Sequence, residues 1–416
     1  MNTGDTAWVL VSAALVLFMT PGLALFYGGM VRSKGVLAIM MQSFVCMGLV
    51  SVLWAVVAFS LSFGPDAGGG LLGDLRFSGL SHLARTLPGF PHLDVSPLAV
   101  MAFQMMFAVI TAALITGGMV DRVRFPAFVA FIALWLLLVY APLAHWVFSP
   151  TGWLAHRGVL DFAGGTVVEI NAGFSSLAVA LVLGRRRGWP REPMPPHSVP
   201  LSLTGAGILW FGWFGFNAGS ALGANGVAVH AFVNTQLAAA AGLLGWILVE
   251  GIWRRAPTTL GAASGAVAGM VAITPCAGFV GAMPSILIGA VAGVVCMLAV
   301  RAKFRFRYDD SLDVLGIHGA GGLVGMVLLG VFASRAIDPG AANGLANGGA
   351  WSFFGWELAA AAVAAAFAFT MTYLIAKVVD LVIGLRVPLE DELAGLDVSQ
   401  HAETAYSMAG GTHVAG

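Results

Sequence analysis

The 416-residue chain is 59% hydrophobic and only 10% charged, and its twenty basic and twenty acidic residues leave no formal net charge. Soluble domains carry about 25% charged residues, so most of this chain must lie in lipid. The balanced charge excludes a nucleic-acid-binding protein, which needs a clustered basic face.

Apolar runs of membrane-spanning length recur along almost the whole chain. A transmembrane α-helix needs about 20 predominantly apolar residues. The predicted helices lie near 7–31, 36–63, 98–119, 126–147, 162–184, 199–217, 228–252, 258–276, 282–300, 312–333 and 354–384. The pattern therefore predicts an all-α polytopic membrane protein of about eleven transmembrane helices, with its termini on opposite sides of the membrane.

The positive charges are distributed unequally between the two sets of connecting loops. One set holds only four of the twenty lysines and arginines, namely Arg76, Arg85, Arg157 and Arg335, and the other sixteen lie in or beside the opposite set. Cytoplasmic loops carry the excess of Lys and Arg. We therefore expect a multi-pass protein of the cell inner membrane, with the N-terminus outside and the C-terminus in the cytoplasm.

A Pro-rich segment at 188–198 divides the ten helices of the first 333 residues into two groups of five. A duplicated unit with an odd number of helices inserts upside down in its second copy. We therefore predict an inverted five-helix repeat, 1–187 and 199–333, followed by a long helix at 354–384. These elements form a transmembrane domain over 1–384, and 385–416 would be a cytosolic regulatory tail, either with a short helix after Pro388 or disordered.

Two ionisable residues interrupt the apolar runs: Glu169 in the fifth predicted helix and His318 in the tenth. An ionised carboxylate near the bilayer centre costs about 2.5–3.5 kcal/mol, so Glu169 must face a partner or a water-filled cavity. Both residues lie among small residues that let helix backbones approach closely. We expect them to face each other across one pore, either as a structural polar pair or as a proton-handling pair.

The remaining polar residues give no sign of a metal, a cofactor or an enzyme. No third ligand accompanies Glu169 and His318, and neither HExxH nor GxSxG occurs. The cysteines lack CxxC or metal-ligand spacing, which favours buried free thiols. Asp161 and Asp313 each precede an apolar run and are predicted to be helix N-caps or structural hydrogen-bonding residues.

Aromatic side chains cluster at the predicted outer ends of three helices. They are Phe103, Phe107, Trp146, Phe148, Trp153, Phe211, Trp213, Phe214 and Phe216, and Ser220 follows the last group. Aromatic faces attract a cation, by about 0.5–2 kcal/mol when water is excluded, and the Ser220 hydroxyl could accept a hydrogen bond from it. The alternative is an ordinary aromatic belt at the membrane interface.

Motifs spread along nearly the whole chain resemble the ammonium transporter family (Amt/Mep/Rh). They are PGLALFYGGMVRSK (21–34), FQMMF (103–107), DRVRF (121–125), LDFAGGTVV (160–168), GWFGFNAGS (212–220), AFVNT (231–235), ASGAVAGMVAITP (263–275), DVLGIHG (313–319) and GLRVPLEDELAGLD (384–397). The resemblance implies a homotrimer in which each protomer has its own pore. It also implies ammonium uptake into the cell and gating by a PII-type signal protein at the cytosolic face.

The resemblance also assigns roles to particular residues. It implies an outer ammonium site at Phe107 and Ser220 and a stacked phenyl gate of Phe107 and Phe216. We expect Phe148 and Trp213 to be substrate-binding residues beside them. Asp161 is similar to the structural aspartate beneath that site. His318 matches the second histidine of the pore pair.

Two positions depart from the family pattern. Phe148 stands where the family usually has tryptophan, which weakens the cation–π attraction. Glu169 replaces the first pore histidine, an exchange also seen in some fungal relatives. Glutamate and histidine still form a proton-sharing pair.

The implied mechanism is that ammonium loses a proton and neutral ammonia crosses an apolar pore that excludes desolvated ions, with Glu169 and His318 relaying the proton. Two alternatives have the same fold. One is a sensor that signals through the tail with little flux, and the other is a neutral-gas or urea-type channel that carries no current. Uptake of the analogue methylammonium would distinguish the sensor, and electrical recording would distinguish the neutral channel.

Overall fold

The computed structural model describes residues 1–83, 87–90 and 93–406. Arg85, counted above among the outer arginines, and residues 407–416 of the predicted tail lie outside the described residues. Within these ranges the chain is helical apart from its loops, and the extended pairing is confined to two isolated bridges, Asp66 with Gly73 and Val123 with Arg386.

In the part of the chain that the structure describes, eleven helices form the body of the protein. They are α1 (Thr3–Met30), α2 (Ser33–Phe63), α3 (Pro97–Gly118), α4 (Phe125–Phe148), α5 (Gly165–Leu183), α6 (Val199–Gly219), α7 (Gly226–Arg254), α8 (Thr259–Ile273), α9 (Ala282–Phe306), α10 (Leu315–Phe332) and α11 (Trp351–Val382). Ten of them are long and apolar enough to cross a membrane, and α8 is a shorter apolar helix. The prediction of an all-α polytopic membrane protein is confirmed. The inverted repeat of 1–187 and 199–333 stays a prediction.

Helix α8 is shorter than the apolar run 258–276 predicted. Thr258 caps its start, because the Thr258 side chain accepts a hydrogen bond from the Gly261 N–H. The helix ends at Ile273, and Pro275 follows two residues later. A proline has no N–H for the helix ladder and restricts the residue before it, so a helix ends readily at this point.

The tail is folded as far as the structure describes it. Helix α12 (Leu389–Ala394) starts after Pro388 and ends at Gly395, and α13 (Leu396–His401) follows. Gly395 has a φ of 107°, which a residue with a Cβ adopts only under strain. The predicted short helix is therefore confirmed, and a disordered tail is wrong for 385–406.

The tail packs on the loops at one end of the helix bundle, which we call the tail side. The Lys34 ammonium donates to the carbonyl oxygens of Glu392 and Leu393 at 3.2 and 2.5 Å. Asp397 accepts a hydrogen bond from the Ala38 N–H at 2.8 Å. These contacts join the tail to the start of α2 within one protomer.

Candidate functional site

The carboxylate of Asp161 caps the start of α5, the helix that carries Glu169. Asp161 Oδ1 accepts hydrogen bonds from the N–H groups of Gly164 and Gly165 at 2.8 and 2.6 Å. Its Oδ2 accepts from the N–H and the hydroxyl of Thr166 at 2.7 and 2.5 Å. The first N–H groups of a helix have no partner within it, so this is the capping interaction that the sequence predicted. It fixes where α5 starts.

Glu357, which the sequence analysis did not single out, supports the same turn from α11. The side chain is buried, and its Oε1 accepts a hydrogen bond from the Leu160 N–H at 2.8 Å. An ionisable residue inside an apolar run was the signal that identified Glu169, and Glu357 carries the same signal at 354–384.

Glu169 and His318 meet between α5 and α10. His318 Nδ1 lies 2.6 Å from Glu169 Oε2, and both side chains are buried. Each residue lies in a π-helical turn at the start of its helix, Gly165–Ile170 for Glu169 and Leu315–Gly319 for His318. Such turns occur often at functional sites. Glu169 Oε1 has no hydrogen-bond partner among the described residues.

Glycines set the separation of these two helices. A Cβ added to Gly173 of α5 would collide with the backbone of Gly319, the residue after His318. A Cβ on Gly322 would lie 2.9 Å from the Cβ of Glu169. Small residues allow this close approach, and the approach brings the two polar side chains within hydrogen-bonding reach.

A narrow cavity of about 10 Å³ lies beside the Glu169–His318 pair. This is roughly the space for one water molecule. Apart from the pair and the indole of Trp213, its wall is apolar and includes Leu23, Ile110, Leu114, Leu209 and Val267. The cavity therefore offers a small molecule few polar partners other than Glu169 and His318.

Two stacked rings lie beside this cavity. The ring centroids of Phe107 and Phe216 are 4.1 Å apart, and the ring planes lie 21° from parallel. Both side chains are buried, and Phe216 lines the cavity itself. Phe148, which is half-buried, presents its ring nearly perpendicular to Phe107 at 6.3 Å. The structure thus stacks the two rings of the predicted gate, Phe107 and Phe216, and brings Phe148 against Phe107.

Ser220 follows the last residue of α6, one helical turn beyond Phe216. Its hydroxyl donates a hydrogen bond to the Phe216 carbonyl oxygen at 2.9 Å. A hydroxyl has one proton and two lone pairs, so the Ser220 oxygen keeps acceptor capacity for a second group.

Trp213, which was predicted to lie with Ser220 in the outer aromatic group, lines the cavity together with Phe216. The Trp213 indole N–H donates to the Thr274 hydroxyl at 2.9 Å. Phe211 and Phe214 do not join Trp213 and Phe216 in the described lining of the cavity. Phe211 is 56% exposed, and Phe214 stacks on Phe232.

Asp313 is a structural hydrogen-bonding residue, which is one of the two roles that the sequence predicted, and it does not cap α10. Asp310 caps α10 by accepting from the N–H groups of Val314 and Leu315 at 3.1 and 2.8 Å. Asp313 instead pairs with Lys303 at 2.5 Å. Burial raises the pKa of Asp310 to about 6, and the nearby charge of Asp313 acts in the same direction.

Buried arginines hold the tail side of the bundle together. Arg122 is fully buried and pairs with Asp309 at 2.7 Å, and Arg186 pairs with the same carboxylate at 3.0 Å. Burial acts to raise the pKa of Asp309, but the charges of Arg122 and Arg186 outweigh it and hold that pKa at about 2. Asp309 therefore stays ionised and fixes the start of the loop that leads to α10.

Within the described ranges, no three His, Cys, Asp or Glu side chains are grouped closely enough to hold a metal ion. The three cysteines are buried and free.

Residues 7–406 match the model of the Ammonium Transporter Family. The ammonium transporter of Mycobacterium tuberculosis (strain ATCC 25618 / H37Rv) is 46% identical over 432 residues, covering 98% of this chain and 91% of the relative. That of Bacillus subtilis (strain 168) is 47% identical over 408 residues, covering 98% and 99%. The crystal structure of Saccharomyces cerevisiae Mep2 aligns with a TM-score of 0.88 at 34% identity, covering 94% of this chain and 88% of that chain. The similarity extends over almost the entire chain.

Proposed function

The chain belongs to the ammonium transporter family and transports ammonium, and from that premise we propose how it does so. Ammonium is recruited at Phe107, Phe148 and Ser220, it loses its proton, and ammonia crosses the apolar cavity into the cytoplasm. The observation that carries this proposal is the 2.6 Å contact between Glu169 and His318 in an otherwise apolar cavity behind two stacked rings.

Recruitment rests on the groups at the outer end of the cavity. Phe107 and Phe148 can attract a cation through their rings, and the Ser220 oxygen can accept one of its hydrogen bonds. Phenylalanine gives a weaker cation–π attraction than tryptophan. Ser220 therefore has a larger share in holding the cation than it would beside a tryptophan.

Selection rests on the cavity behind the phenyl pair. Moving an ion without its water into an apolar space costs far more than moving a neutral molecule. Potassium cannot become neutral, but ammonium can by losing a proton. An apolar cavity with room for about one water molecule therefore passes ammonia and rejects potassium.

The proton route rests on the pair itself. The two groups lie 2.6 Å apart, within hydrogen-bonding distance, so the pair can hold a single shared proton. Glu169 Oε1 is free of protein partners among the described residues and is the open end of that pair. A proton taken from ammonium can enter there and pass through His318, which makes transport electrogenic.

The assembly and the membrane orientation belong to the same proposal. The protein would be a homotrimer in the cell inner membrane, with one pore in each protomer, its N-terminus outside and its tail in the cytoplasm. The excess of Lys and Arg on the tail side supports that orientation. The docked tail offers a surface at which a PII-type signal protein could act.

Uptake of labelled methylammonium into transporter-deficient cells tests transport against the sensor alternative. We expect saturable uptake that ammonium competes away. A protein that reaches the membrane without uptake would favour the sensor, for which the docked tail would be the output.

The recruitment site predicts opposite effects for two substitutions. Ser220→Ala removes one hydrogen bond to a charged group, which is worth about 1.5–3 kcal/mol and less where water substitutes. We expect the half-saturating ammonium concentration to rise by about tenfold, and Phe148→Trp to lower it modestly. Concentration-dependent uptake or current gives both values.

Ser43→Ala is the matched control, because the Ser43 hydroxyl also bonds the carbonyl four residues back, in α2. Its half-saturation should not change. Unchanged half-saturation in both Ser220→Ala and Phe148→Trp would place the recruitment site elsewhere.

Removing the docked tail is expected to lower transport several-fold while leaving the helix bundle folded. Truncation from Leu389 removes the contacts with Lys34 and Ala38 but keeps the pairing of Arg386 with Val123. Uptake normalised to the amount of protein in the membrane measures the effect. A truncation that removes only 407–416 is the control, and full activity without α12 and α13 would remove the tail from the mechanism.

A further inference from the structure

An arginine-rich cavity opens on the tail side, between the loop after α5 and the docked tail. Two adjoining cavities of about 450 and 500 Å³ share the wall formed by Arg185, Arg187 and Trp189. Among the residues that the structure describes, six arginines line them, namely Arg185, Arg186, Arg187, Arg191, Arg307 and Arg386. Glu192 and Glu392 are the two acidic residues in the same walls. We call this feature the arginine pocket.

Four of these arginines lack a carboxylate partner among the described residues. Arg186 pairs with Asp309, and Arg386 pairs with Glu392 at 2.7 Å. The ion pairs of the described chain include none for Arg185, Arg187, Arg191 or Arg307. Several like charges around one cavity repel one another, so an anion that binds there relieves an unfavourable interaction.

The shape of the guanidinium groups indicates which kind of anion the arginine pocket fits. A guanidinium presents a planar fork of donors that matches the oxygens of a phosphate. The Arg185 guanidinium lies over the Trp189 ring at 5.8 Å, and Trp189 stacks on Phe304 at 5.9 Å. Phe304 and Phe306 are 55% and 71% exposed at the end of α9, where aromatic side chains mark the membrane interface. The pocket is thus open to water and close to lipid headgroups.

We propose that the arginine pocket binds a phosphate-bearing anion, either the headgroup of an anionic phospholipid in the adjacent leaflet or a soluble phosphate compound. Basic pockets at the ends of transmembrane helices on the cytoplasmic side bind such headgroups. The proposal goes beyond the transport mechanism and does not depend on it.

The tail forms part of the pocket, so occupancy and tail docking are linked. The buried Glu392 of α12 accepts hydrogen bonds from the Arg187 N–H at 2.6 Å and from Arg386 at 2.7 Å. An anion that binds only the complete pocket stabilises the docked tail, and the docked tail raises the affinity for the anion by the same factor.

The test uses the full chain in nanodiscs and needs no ammonium. Native mass spectrometry counts phosphatidic acid bound from mixtures with phosphatidylcholine, and calorimetry measures binding of inorganic pyrophosphate in pure phosphatidylcholine discs. Each arginine near a membrane surface raises the affinity for an anionic headgroup by a factor of about five. The Arg187→Gln/Arg307→Gln double variant should therefore bind at least about tenfold more weakly than the natural protein in whichever arm shows binding.

Arg255→Gln is the matched control, because Arg255 and Arg307 are both exposed, follow the end of a helix and have a positive φ. The proposal is supported if the double variant loses binding and Arg255→Gln keeps it. Binding of phosphatidic acid would identify a lipid headgroup as the source of the phosphate, and binding of pyrophosphate would identify a soluble compound. No binding in either arm, or equal losses in the double variant and in Arg255→Gln, would overturn the proposal.

Discussion

Glu169→Gln is expected to lower the ammonium-driven current by on the order of 10²-fold or more, the scale of a lost acid–base group. Glutamine keeps the shape of the side chain and can still hydrogen-bond His318, but it cannot take up and release a proton. A structural polar pair would survive this exchange, whereas a proton relay would not. Current in proteoliposomes, normalised to the reconstituted protein, gives the answer.

Glu169→His restores the residue that the family usually has at this position, and it serves as the companion variant. We expect it to retain ammonium selectivity with an altered rate and pH profile, because free imidazole and carboxyl groups exchange protons over different pH ranges. Near-normal current with unchanged pH dependence in Glu169→Gln would return Glu169 to a structural role.

Gly173→Ala is the second substitution that is expected to cause a large loss of transport. The new methyl group would meet the backbone of Gly319, which cannot move away as a flexible side chain could. Overpacking of this kind costs about 1–3 kcal/mol, and separating α5 from α10 would also pull Glu169 away from His318. We expect transport to fall at least about tenfold, with a lower melting temperature.

Gly207→Ala is the control for this prediction. Gly207 also lies inside a helix, α6, but it is exposed, and an added Cβ would meet nothing within 4 Å. Alanine favours a helix over glycine by about 0.5–1 kcal/mol, so this variant should be unchanged or slightly more stable. If Gly173→Ala transports as well as Gly207→Ala, the close crossing of α5 and α10 does not set the pore geometry.

Features that depend on bulk physical chemistry were predictable from the sequence. Hydropathy gave the helix number, because a membrane demands a fixed apolar length. The cost of burying a charge in lipid singled out Glu169 and His318 as candidates to meet. Even so, only the structure shows the 2.6 Å contact and the π-helical turns that carry both residues.

Features that depend on side-chain direction were predicted less well. Trp213 and Phe216 lie three residues apart and share a helix face, whereas Phe211 and Phe214 project elsewhere. Applying the 3.6-residue period to the group would have separated the two pairs. The sequence left two roles open for Asp313 and carried no signal to choose between them, because the choice depends on the backbone turn and on Lys303, which lies ten residues before Asp313.

Electrical recording of the natural protein in proteoliposomes tests the central claim most directly. If Glu169 and His318 relay a proton released from ammonium, an ammonium pulse gives an inward current that saturates, and an equal potassium pulse gives none. A neutral-gas channel would take up ammonia or methylamine without current. Substrate uptake with no measurable current would contradict the proton relay.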